Sequence, residues 1–150
     1  MKEKYEELRK KHDLPGFEEM DAYFEIGSID EDSNILRETA KKIHDKVDNY
    51  TMIFESLIQA DARLSNMREA GSMTPKERAT LSHLYNKGMI ITREALELGV
   101  EYSEEKAAGF IKKSFEEWKE MKDDILVIIR KMKKAWSEQV KIEEDRGYFG

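Results

Sequence analysis

The chain has 150 residues, 39% of them charged and 39% hydrophobic, with a formal net charge of −6. That length suits one domain with a real core, and the lack of cysteine excludes disulfides, thiolate catalysis and cysteine-ligated metal centres. The acid excess falls entirely in residues 1–32, with eleven acids against five bases, so no overall basic excess marks a nucleic-acid binder.

Charge far above the usual quarter, combined with regularly spaced apolar residues, predicts an all-α protein of long helices with solvated faces. No apolar leader opens the chain and no run reaches the length of a membrane span, which predicts a cytoplasmic protein.

Residues 2–12 predict a short charged helix with Tyr5 and Leu8 on one face, ended by Leu14-Pro15-Gly16. Phe17, Met20, Tyr23 and Phe24 predict a second short helix stopped at Gly27. Ser28, Glu31 and Asp32 read as the start signal of a long helix over 33–70, closed by Gly71. Its seam is Leu36, Ala40, Ile43, Val47, Tyr50, Phe54, Leu57, Asp61 and Leu64. Thr74-Pro75-Lys76-Glu77 is a capping box with proline at the first helical position, opening a helix over 75–98. The final helix, over 104–142, repeats its apolar residues in sevens. Ile111, Trp118, Ile125 and Met132 hold one register, and Ser114, Met121, Ile128, Ala135 and Ile142 hold the next.

Three long helices in an antiparallel bundle, with the two short ones as a partial fourth layer, form a single predicted domain over 1–150. The short turn after Gly71 predicts a hairpin that sets Leu64 level with Leu81, Leu57 with Gly88, Phe54 with Ile91 and Tyr50 with Ala95. A second hairpin sets Pro75 near Val127, so the last helix outruns its neighbour by about fifteen residues, or roughly 22 Å.

That overhang carries the main candidate site. Ile125-Leu126-Val127-Ile128-Ile129 is apolar all round the helix and needs cover on more than one side. With Met132, Trp136 and Val140 it reads as an interface, either for a second copy of the chain or for the N-terminal helices, with Trp136 as anchor. The closing Tyr148 and Phe149 could clasp a second subunit. Arg130, Lys131, Lys133 and Lys134 form a basic patch that reads as a solvated face near a helix C-terminus, with an anion or nucleic-acid contact as a lesser alternative. Asp61 breaks the apolar seam and predicts a buried polar pair with His83 or Arg78.

No catalytic set, cofactor motif or metal-ligand spacing appears. His12, His44 and His83 are dispersed, without the Glu-x-x-His pairs of di-iron bundles. Three partial resemblances remain. Arg78-x4-His83 is similar to the motif of the helical HEPN ribonucleases, which implies phosphodiester hydrolysis. Glu116, Glu117, Glu120 and Asp124 loosely resemble the magnesium-binding acids of helical nucleotide pyrophosphohydrolases. Leu14-Pro15-Gly16-Phe17 and Met73-Thr74-Pro75-Lys76-Glu77, with the helices between them, resemble the helical domain of GINS replication subunits over residues 1–98. That resemblance implies a subunit of a nucleic-acid-processing assembly. The expected function is non-enzymatic protein–protein interaction, as a homodimer or with another helical protein; the alternatives are a subunit of a nucleic-acid-processing assembly and a hydrolase, HEPN-like or metal-dependent, with an incomplete site.

Overall fold

A computed structural model describes residues 1–60 and 63–147. Among these the fold is all-α, without a strand. The helices are α1 (Lys2–His12), α2 (Phe17–Phe24), α3 (Ile35–Ile58), α4 (Leu64–Gly71), α5 (Pro75–Val100) and α6 (Glu104–Asp145), with a 3-10 turn at Ile26–Ser28. The long three are α3, α5 and α6, as expected, and two short helices precede them. The chain divides into two compact units, Met1–Tyr50 with Lys87–Glu120 and Thr51–Asn86 with Met121–Gly150.

Local chemistry accounts for most of the boundaries. The capping box forms as read: the Thr74 amide donates to Glu77 Oε1 at 2.8 Å, and the Glu77 amide donates to Thr74 Oγ1 at 3.2 Å. Ser103 opens α6 by accepting from the Lys106 amide. The start of α3 departs from expectation. Its cap is Asn34, whose Oδ1 accepts from the Arg37 amide at 3.1 Å, while Asp30 is spent on a turn of its own with the Asp32 amide. At Gly27 a Cβ would lie 2.9 Å from Asp21 Oδ1, the same oxygen that accepts the Gly27 amide. A side chain there would displace the Asp21 carboxylate and cost that hydrogen bond. The left-handed residue ending α2 is Glu25, at φ 56°.

In the first unit the core gathers under α1 and α2. Tyr5, Met20 and Ile26 are fully buried, and the Tyr5 hydroxyl donates to the Pro15 carbonyl. Phe24 and Tyr50 both meet Trp118 with ring centroids 5.8 Å away, and Tyr23 meets Phe115 at the same distance. Large aromatic area removed from water fixes the short helices here, which their own length could not. In α6 the buried positions Ala107, Ile111, Ser114, Trp118, Met121, Ile125 and Ile128 alternate by four and three, the seam read from the sequence.

The second unit holds the largest departure. The helix expected over 33–70 ends at Ile58, and α4 begins at Leu64. Nothing local marks the break, because residues 55–63 contain neither proline nor glycine. With the helix interrupted, the expected register does not hold. Leu57 and Ile58 share a cavity with Leu81 and Ser82, where a continuous hairpin would have set Leu57 beside Gly88. Tyr85 donates to Glu55, again about five residues from the expected level. Leu64, expected opposite Leu81, is 63% exposed while Leu81 is buried.

Candidate functional site

The overhang of α6 is partly covered by an element that the sequence did not single out. Thr74 and Glu77, at the start of α5, share a cavity with Asp124, Val127 and Ile128, so α5 begins where expected against α6. Beyond that point α4 takes over. Trp136 Nε1 donates to Glu69 Oε2 at 3.2 Å, and the Arg68 guanidinium lies 5.2 Å from the Trp136 ring centroid. The break after Ile58 leaves α4 as a separate helix that supplies this contact.

The interface residues expected from sequence therefore separate by face. Ile125 is buried and belongs to the core, contrary to the expectation that it meets a partner. Ile129, Met132 and Trp136 are half-buried, and Trp136 is engaged within the chain. Leu126, Val127 and Val140 are 44%, 49% and 50% exposed. The reason is geometric: at about 100° per residue, a helix that buries 125 and 128 must turn 126 and 127 outward.

The basic patch also divides. Lys131 Nζ lies 3.5 Å from Glu77 Oε1 and Lys134 Nζ lies 3.9 Å from Glu138 Oε1. Arg130 and Lys133 are exposed, and neither has an ion-pair partner among the described residues. Asp123 and Asp124 are exposed one to two turns earlier. Glu77 thus serves two purposes, closing the capping box and receiving Lys131. Its hydrogen bond from the Thr74 backbone, then Thr74 and Lys131 side chains, hold its carboxyl below the ordinary 4.5.

His83 and Arg78 are both exposed, and Asp61 lies outside the described residues, as do Tyr148 and Phe149. Because α3 ends at Ile58, the seam expected along it stops before position 61. Arg78 and His83 stand five residues apart on α5, which places them about 140° apart around the helix, on different faces. No group of three or more His, Asp or Glu gathers as metal ligands among the described residues. Of the α6 acids, Glu117 faces Lys87, 4.0 Å away, and burial pushes its carboxyl up. No described helix is long and apolar enough to cross a membrane.

One feature was missed in the sequence. Arg37, Lys41 and His44 on α3 line a cleft of about 500 Å³ with Ala95, Leu96, Leu98 and Gly99 of α5 and with Tyr102. The spacing of 37, 41 and 44 puts the three on one helix face, a signal available from sequence; its apolar opposite wall was not, being more than fifty residues away. Comparison with protein-family models, curated proteins and solved structures finds no match to this chain.

Proposed function

We propose that the protein acts by protein–protein interaction, associating with a second copy of itself through the outward face of α6. The observation that carries this reading is the pattern Asp123, Leu126, Val127, Arg130: two exposed apolar residues between an acid and a base. About a two-fold axis between positions 126 and 127, an antiparallel copy would set Leu126 against Val127 and Asp123 against Arg130, twice over. A self-complementary patch is what an isologous dimer needs. Apolar area at its centre would supply affinity, and the charge pairs would fix direction. Val140 and Ile142 extend exposed apolar surface toward the end of the helix.

The test is sedimentation of the wild-type protein, of Leu126→Glu with Val127→Glu, and of charge reversals. A wild-type dimer, a helical monomer from the double glutamate variant, and weakened association in Asp123→Arg are expected. Adding Arg130→Asp to Asp123→Arg should restore the dimer, since every pair is then inverted but retained. A wild-type protein that stays monomeric at high concentration would overturn the proposal.

A further inference from the structure

We propose that the cleft between α3 and α5 binds a small organic anion, a carboxylate or phosphate carried on an apolar ring or short chain. The cleft belongs to the first unit, whereas the proposed dimer face of α6 belongs to the second. Its volume, about 500 Å³, lies within the range of small-molecule sites.

Its lining has two characters. Arg37, Lys41 and His44 form one wall, and no lining residue is acidic, in a chain whose net charge is −6. Ala40, Ala95 and Leu98 form an apolar floor, with Leu96 exposed at the rim. Small residues keep the space open: a Cβ at Gly99 would meet nothing within 4 Å. A cationic wall beside an apolar floor favours a ligand with one charged end and one apolar end.

The cation nearest the loop is held in place before any ligand arrives. The Arg37 guanidinium lies 4.3 Å from the Tyr102 ring centroid, stacked on its face. The Tyr102 hydroxyl donates to Asn34 Oδ1 at 3.2 Å, and that oxygen also accepts from the Arg37 amide at 3.1 Å. Asn34 thus ties the ring to the turn that carries the arginine. No carboxylate pairs with the Arg37 side chain among the described residues, which leaves its planar donors for two oxygens of a carboxylate or phosphate. Lys41 stands one turn along the same face as a second point charge. His44 bonds the exposed Asp45 at 3.1 Å through Nδ1, which leaves Nε2 as a further polar contact for the ligand.

The experiment is an NMR titration of the full chain with phenyl phosphate and with benzoate, read at the amides of Ala95, Gly99 and Tyr102 and at the His44 ring. Saturable shifts confined to these residues are expected for at least one of the two, and which one responds separates phosphate from carboxylate. Arg37→Gln should weaken binding about tenfold, the worth of a charge-assisted contact. Gly99→Leu, which fills the cleft and removes no charge, should abolish it, and this variant keeps the test decisive if Arg37→Gln unfolds. Equal shifts from neutral benzyl alcohol would overturn the proposal by removing the role of charge. So would an equal response to inorganic phosphate, which removes the role of the floor. Shifts spread over surface lysines, or none with either probe, would overturn it outright.

Discussion

Trp136 and Glu69 are joined by a hydrogen bond of 3.2 Å across sixty-seven residues of sequence. Through it α4, an eight-residue helix with no fully buried side chain, is attached to the overhanging end of α6. So short a helix has little stability of its own in water, and its order depends on that attachment.

Trp136→Ala should therefore cost roughly 1–3 kcal/mol, less than for a fully buried tryptophan because the side chain is only partly buried. Amide exchange in residues 64–71 should accelerate while exchange in α1 and α2 stays unchanged. Urea unfolding and native-state exchange read the two effects. Wild-type exchange rates across α4 in the variant would show that Trp136 is not what holds it.

The capping box supplies a pH-dependent prediction. Thr74→Ala should cost about 1 kcal/mol, the usual worth of an N-cap. The Glu77 carboxyl is held below its ordinary 4.5, chiefly by the Thr74 amide, so the folded state binds its proton less readily than the unfolded chain does. Its contribution is then present above 4.5 and lost as pH falls through the lower, folded value. Glu77→Gln should lower the urea midpoint at neutral pH and make little difference in acid. An equal loss at both would show that the effect is not electrostatic.

Glu117 has the opposite sign. Burial pushes its carboxyl up, Lys87 offsets this only in part, and Oε2 has no hydrogen-bond partner among the described atoms. A raised acid contributes most at low pH, and that contribution is lost as pH rises from the ordinary 4.5 through the higher, folded value. Glu117→Gln should accordingly stabilise the protein at neutral pH by roughly 0.5–1 kcal/mol, with the gain vanishing in acid. Thermal melts at several pH values test it, and a lower midpoint at neutral pH would mean that the attraction of Lys87 outweighs the burial.

What the sequence determined by itself is what neighbours along the chain decide. The bounds of α1 and α2 follow from Pro15, Gly16 and the aromatic spacing, the start of α5 from four consecutive residues, and the seam of α6 from a repeat of seven. Each rests on hydrogen bonds within a turn or on which face of one helix is apolar, and both are written in residue order. Tertiary structure alone decided the break after Ile58, because no residue from 55 to 63 forbids a helix and the reward for leaving, cover for Trp136, lies far along the chain. The same holds for the level of Leu57 against Leu81, which a break upstream shifts by more than a turn, and for the cleft. Arg37 is an ordinary exposed arginine in sequence; what gives it a ring to stack on, and an apolar wall to face, is the return of α5 beside α3.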